Sequence, residues 1–214
     1  WHVYDGEVRL VDDAMGKLFA KLESLGIWDE TLVIFTSDHG EAFSEHMLPG
    51  HQNVIYDEVL HIPLIIRYPG MANVGRTREP VELLDLYRTI AELAQVPVPP
   101  GVRGESLVPI LEKRAGERQQ DYLFHSRYYM DTLGLHYLAV RDRDYKLIAR
   151  VPFEADTSKR LVQQVPKWSL DKPGTTLELY KYSEDPRERW NLIFEGADPE
   201  VARRLQQELL EWRD

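Results

Sequence analysis

Residues 32–69 constrain this chain more than any other stretch. An apolar, β-branched run, Leu32-Val33-Ile34-Phe35-Thr36, stops at Ser37-Asp38-His39-Gly40, and a second apolar run, Ile62-Pro63-Leu64-Ile65-Ile66, follows. Short apolar runs bounded by turn signals read as buried strands. The loop between them carries Asp38, His39, Glu41, Glu45, His46, His51, Asp57 and Glu58. Acid–base and metal-ligand side chains at the junction of two buried strands predict an α/β enzyme site, because such sites lie beyond the carboxyl ends of strands.

The flanking patterns fit that class. Val8, Val11, Met15, Leu18, Leu22 and Leu25 alternate at three- and four-residue steps, one stripe of an amphipathic helix. Gly26 stands where a left-handed cap belongs, with Ile27 to make the capping contact. The Leu32 strand then follows, giving half of a βαβ crossover whose incoming strand is absent. Residues 79–83 read as a short strand. Residues 84–94 read as a helix with Leu84, Tyr87, Ile90, Ala91 and Ala94 on one side, and residues 106–111 as a short helix. The polar stretch 113–120 divides the chain into residues 1–112, an α/β core, and residues 113–214, a smaller antiparallel sheet with a terminal helix. Within the second part, Tyr137-Leu138-Ala139-Val140 and Tyr145-Lys146-Leu147-Ile148 flank a polar turn, a hairpin signal. Asp198 precedes a helix with Val201, Leu205, Leu209 and Trp212 on one face.

Composition excludes several functions. The chain has 214 residues, 43% of them hydrophobic, and a formal net charge of -10. That acidity argues against a nucleic-acid surface and against broad attraction to anionic membranes. An anionic substrate remains compatible, because a bound cation inverts the local field. There are no cysteines, so no disulfide, thiolate nucleophile or Cys-ligated zinc is available. No apolar run reaches the roughly 20 residues needed to span a bilayer. Periplasmic, secreted and cytoplasmic locations all stay open.

Four stretches, in order and at family spacing, carry a resemblance to the type I sulfatases of the alkaline phosphatase superfamily. The first runs from Tyr4-Asp5-Gly6-Glu7 through Val11-Asp12-Asp13 and on through Gly26-Ile27-Trp28-Asp29 to Thr36-Ser37-Asp38-His39-Gly40-Glu41. The second is His61-Ile62-Pro63-Leu64-Ile65-Ile66. The third is Val81 to Leu86 with Thr89-Ile90, Val96-Pro97 and Gly104-Glu105-Ser106-Leu107. The fourth is Leu179-Tyr180, Glu184-Asp185-Pro186, Glu188 and Asn191-Leu192. The resemblance covers nearly the whole chain and corresponds to the C-terminal half of those enzymes. It implies a predominantly parallel alkaline-phosphatase-like sheet with flanking helices, plus a small C-terminal antiparallel sheet.

It also implies a chemistry. In the family a formylglycine, made from Cys or Ser, attacks the sulfur of a sulfate ester beside a divalent cation. That cation is held by two acidic residues of an early strand and an Asp-Asn or Asp-His pair of a later one. Asp38 and His39 match the later pair. Hard divalent ions prefer carboxylate oxygens, whereas imidazole suits zinc, iron or manganese better than calcium. The resemblance implies calcium, with manganese or magnesium as alternatives, and the Asp-His pair fixes the metal less firmly than Asp-Asn would. Where many relatives place a sulfate-contacting Lys, this chain has Gly50-His51-Gln52, so His51 or Gln52 takes that position. His51 is expected to contact the anion or protonate the leaving group, as imidazole can near neutral pH. His46 fits substrate contact and loop packing equally. Glu41 is expected to support the metal shell or cap the loop. Asp57 and Glu58 are expected to face solvent or to pair with an Arg, and His125 and Arg127 to border the pocket.

The family's Cys/Ser-x-Pro-x-Arg nucleophile motif does not occur here, nor does the early acidic pair. Both are expected upstream of Trp1, in a missing N-terminal half. The substrate is expected to be a sulfate ester, with a phosphonate monoester or phosphodiester as the alternative. A non-catalytic role for the chain by itself is the contrasting possibility.

Overall fold

The computed structural model describes residues 2–47, 49–51, 55–113, 121–129, 135–152 and 169–213. Helix α1 spans His2–Ser24. It ends as its sequence predicts: Gly26 has φ 69°, its N–H donates to the Glu23 carbonyl (2.9 Å), and the Ile27 N–H donates to that of Leu22 (3.2 Å). The apolar stripe has a different fate. No residue of α1 is buried, and Val8, Val11 and Leu18 lie about half exposed.

Strand β1 (Val33–Thr36) pairs with β4 (Leu64–Arg67), in the register Val33↔Arg67 to Thr36↔Leu64. The pairing is antiparallel, as is every strand pair among the described residues. This corrects the expectation of a parallel sheet here. The loop from residue 37 to 63 doubles back rather than crossing over, and only a crossover returns a strand in the parallel direction. Within that loop, β2 (Ala42–Phe43) pairs with β3 (Pro49–Gly50), and the single-turn helix α2 (Asp57–Leu60) follows.

Beyond β4 comes α3 (Asp85–Leu93), and then α4 (Val108–Leu111). The strand expected at 79–83 does not form. That segment turns into α3, because the fully buried Asp85 carboxylate accepts the N–H of Glu82 (3.0 Å) and of Glu105 (2.9 Å). Asp85, Thr89 and Ala91 are the buried residues of α3, while the expected apolar side, Tyr87 and Ile90, faces outward.

The second part is a meander of four strands in sequence order: β5 (Leu123–Tyr129), β6 (Leu135–Arg141), β7 (Tyr145–Pro152) and β8 (Thr176–Lys181). The expected hairpin is the β6–β7 pair. Its turn is closed by Asp142 Oδ1, which accepts the N–H of Asp144 and Tyr145 (2.8 and 2.7 Å), the Asx arrangement that suits Asp to turns. After α5 (Leu192–Glu195), helix α6 (Pro199–Arg213) packs Leu205 and Leu209 on Leu138, Val140, Leu147, Ala149, Val151 and Leu179. Burying side chains of this size is worth about 1.5–3 kcal/mol each.

Strand side chains alternate between faces, and the opposite face of this sheet is apolar too. Tyr137, Ala139, Ile148 and Tyr180 pack on Ile55, Tyr56 and Val59. The segment entering α2 thus serves as the second cover of the C-terminal sheet. It ties the loop that follows β1 to a sheet more than 70 positions further along the chain. No helix among the described residues is long and apolar enough to cross a membrane. The polar stretch 114–120, proposed as the divider, lies outside the described residues.

Candidate functional site

The end of β1 sets the site. After Thr36 the chain leaves the strand, and Gly40 donates its N–H to the Val59 carbonyl (2.8 Å). A Cβ on residue 40 would stand 2.2 Å from the Glu58 carbonyl oxygen. Only glycine lets the two backbones meet there. Gly40→Ala is expected to cost about 1–3 kcal/mol, the usual penalty of overpacking. It should also displace Asp38 and His39. Denaturation midpoints and divalent-ion titration of the variant check both effects.

Asp38 is highly exposed, and its Oδ1 accepts the N–H of His39 (3.0 Å). The His39 imidazole and these amides hold its carboxyl below the usual range, so it is ionised near neutrality, as a metal ligand must be. His39 Nδ1 lies 2.9 Å from the Gly40 carbonyl. A carbonyl only accepts, so Nδ1 carries the proton and Nε2 keeps its lone pair. That Nε2 is 3.8 Å from Asp38 Oδ2, a span that one ion with bonds of about 2.0–2.4 Å can bridge.

His51 approaches from β3. Its ring lies against that of His39, with centroids 4.1 Å apart. Its Nδ1 lies 2.6 Å from Glu41 Oε1, so Nδ1–H donates to the carboxylate, which fixes the ring. The other nitrogen, Nε2, is left for a ligand. His39, Glu41 and His51 each offer a ligand atom within 4.8 Å of the others. These two imidazoles and one carboxylate make a mixed nitrogen–oxygen donor set that fits a divalent cation.

The structure thus brings Asp38, His39 and His51 together and adds Glu41, whose part is to orient His51. Ten positions separate Glu41 from His51, so no local periodicity could have paired them. His46 goes elsewhere. Its Nδ1 lies 2.8 Å from Glu58 Oε1, its Nε2 lies 2.8 Å from the Glu188 carbonyl, and its ring stacks on Tyr56 at 3.7 Å. Gln52 lies outside the described residues.

Asp57 is buried and pairs with an Arg, the second of its two expected fates. Its Oδ1 accepts from Lys146 Nζ (2.8 Å) and its Oδ2 from Arg141 Nη1 (3.2 Å). Burial pushes its carboxyl up, but the Lys146 and Arg141 charges outweigh burial and hold it below the usual value. Lys146 also reaches Glu188 Oε1 (2.6 Å), and Glu188 Oε2 accepts the Asp57 N–H (2.7 Å). Burial, only partly offset by Lys146 and reinforced by the charge on Asp57, raises the Glu188 carboxyl. Burial and the Lys146 charge lower His125 to about 4. A ring neutral at ordinary pH and set beside this cluster does not fit a charged contact to a substrate anion.

A sulfatase family model matches residues 1–96. The chain is 30% identical over 213 residues to an N-acetylglucosamine-6-O-sulfatase of Bacteroides thetaiotaomicron, covering 97% of this chain and 34% of that protein. Its fold is similar to that of a protein solved with its substrate D-glucosamine-2-N,6-O-disulfate (TM-score 0.74, 27% identity, 96% of this chain and 38% of the other). It is equally similar to a phosphonate monoester hydrolase from Silicibacter pomeroyi (TM-score 0.74, 26% identity, 95% of this chain and 38% of the other). The chain therefore spans little more than a third of the length of these relatives. Sequence and fold together assign it to the sulfatase family, where it matches the C-terminal part of its relatives.

Proposed function

We propose that this chain is the C-terminal portion of a metal-dependent hydrolase of sulfate esters. The observation that carries the reading is the convergence of His39 and His51, ring against ring, beside the exposed carboxylate of Asp38. In this reading Asp38 and His39 form one arm of a divalent-ion site, with calcium, manganese or magnesium as the ion. When bound, such an ion supplies Lewis-acid stabilisation of charge on the ester oxygens. The residues of this chain do the remainder. Glu41 holds the His51 Nδ1 proton, and His51 Nε2 contacts the anion or gives a proton to the leaving alcohol. Glu41 Oε1, 2.6 Å from Nδ1, sets the ring so that Nε2 faces away from it. His46 is assigned to anchoring, since both of its nitrogens face protein acceptors.

The nucleophile, a formylglycine in this reading, and the second metal arm belong to the rest of the enzyme. The exposed apolar stripe of α1 and the outward Tyr87 and Ile90 of α3 are surfaces that this remainder would cover. β1 would there join a predominantly parallel sheet. By itself, residues 1–214 would be inactive.

Hydrolysis of a phosphonate monoester is the second reading, favoured by the fold similarity to an enzyme of that activity. The test is to assay the intact polypeptide on an aryl sulfate and an aryl phosphonate monoester, before and after chelation. Chelator-sensitive release of sulfate, restored by one divalent ion, is the expected result. Preference for the phosphonate would select the second reading, and chelator-insensitive turnover would overturn both.

A further inference from the structure

Two of the contacts that hold the loop of the candidate site on the C-terminal part of the chain lead to one residue. His46 reaches the carbonyl of Glu188, and the N–H of Asp57 reaches its carboxylate. Glu188 itself sits in the turn after β8, with φ 52°. Asp185 Oδ2 closes that turn by accepting the N–H of Arg189 and Trp190 (2.7 and 2.8 Å). These residues belong to the fourth family-like stretch, which the proposed chemistry does not use.

His46 is the unusual partner. A carboxylate oxygen faces one ring nitrogen and a carbonyl faces the other, each at 2.8 Å. Both groups only accept, so satisfying both requires a proton on each nitrogen. A neutral ring would turn a lone pair toward an acceptor at one end. The backbone there is also held in an uncommon state, because Ser44, His46 and Met47 all have positive φ (78°, 51° and 60°). Such residues persist where surrounding bonds over-determine them.

We propose that His46, as an imidazolium, is a proton-dependent clasp that fixes the site-bearing loop on Glu188, making His46 and Glu188 positioning residues for the site. The groups facing the ring are Glu58 from α2, Tyr56 across its flat face, and Glu188 from the turn after β8. Lys146 and Asp57 lie beyond Glu188, and the Glu45 carboxylate is turned away to the Phe43 N–H. Burial lowers the affinity of His46 for its proton, but Glu58 and Glu188 more than offset that, and its pKa is raised. A raised histidine contributes fully below its unfolded value and loses that contribution as pH rises through its folded value. The clasp is therefore fully closed below the ordinary histidine value and loosens as pH rises through a point above it.

The experiment is a pH titration of the intact polypeptide that carries this chain. Ring-labelled histidine would be followed by NMR, with hydrogen exchange of residues 42–60 alongside. The expected result is two ring N–H groups on His46 at neutral pH. Loop protection, corrected for intrinsic exchange, should fall about tenfold through its titration, the order of one charge-assisted hydrogen bond. His46→Gln should flatten that profile, and Glu58→Gln should move it to lower pH. Glu188→Gln keeps the carbonyl, so the two N–H groups should persist. A neutral His46 ring at neutral pH, or a His46→Gln profile that still follows the parent, would overturn the clasp. If variants fail to fold, the NMR state of the parent decides alone. The outcome does not depend on metal affinity or ester preference, so it can fail while the hydrolase reading stands, and the reverse.

Discussion

Replacing Lys146 with methionine is expected to destabilise the protein by about 3–5 kcal/mol, the cost of removing one partner from a buried ion pair. Lys146 is 1% exposed and bonds both Asp57 and Glu188. Methionine matches its length and fills the space, so the loss reads on charge rather than on a cavity. Arg141 alone would remain to balance two buried carboxyls, and it reaches only Asp57 Oδ2 while stacking on Tyr182 at 3.6 Å. The effect should depend on pH. In the parent, the lowered Asp57 carboxyl contributes stability above its unfolded value, and that contribution is lost as pH falls through its folded value. In the variant, burial dominates and the carboxyls protonate more readily. The difference between parent and variant should therefore shrink toward acid. Urea denaturation of both proteins at neutral and acidic pH measures this. A constant difference across pH would mean that Lys146 acts through packing.

Asp38→Ala is expected to lower hydrolytic turnover of the intact enzyme by about a thousandfold, the scale on which a hard cation's charge stabilisation operates. The fold should be unaffected, because this carboxylate projects into solvent and bonds to its own neighbours, Ser37 and His39. The check has two parts: steady-state kinetics over a range of divalent-ion concentrations, and the ion affinity itself by calorimetry. Loss of affinity together with loss of turnover supports a ligand. Asp38→Asn, which keeps an oxygen donor, should lose less and recover more at high ion concentration. Unchanged affinity in Asp38→Ala would remove this residue from the metal arm and leave the His39, Glu41 and His51 group as the place to look.

These two substitutions mark the two sides of what the sequence made legible. The end of β1 before Ser37-Asp38-His39-Gly40 could be read directly, because a β-branched run that stops at polar residues and a glycine marks a strand end. So could the Gly26 cap, the β6–β7 hairpin and the Leu205–Leu209 face of α6. Each depends on residues within a few positions of one another. Asp57 was open to a solvent-facing reading, since Asp-Glu at the start of a short helix ordinarily faces water. It is instead buried, because Arg141 and Lys146 arrive from β6 and β7, 84 and 89 positions away.

The strand at 79–83 failed for a related reason. Its apolar alternation was outweighed by the Asp85 carboxylate, which collects amides from Glu82 and Glu105 on both sides. α1 shows the opposite case. Its periodicity identified the helix and its cap correctly, but a stripe cannot say what covers it. Among the described residues nothing buries it.

By itself the sequence determined most of the helices, the Gly26 cap and the β6–β7 hairpin, because helices, turns and hairpins obey local chemistry. Only the tertiary structure decided which histidine serves which role. His51 meets His39 and Glu41, while His46 is drawn away to Glu58 and Glu188. The two rings lie five positions apart in the same loop. What separates them is a left-handed backbone at His46 and an acceptor 142 residues further along the chain. Hydrogen bonds over such distances depend on how the sheet and α2 pack, and no pattern within the loop encodes that.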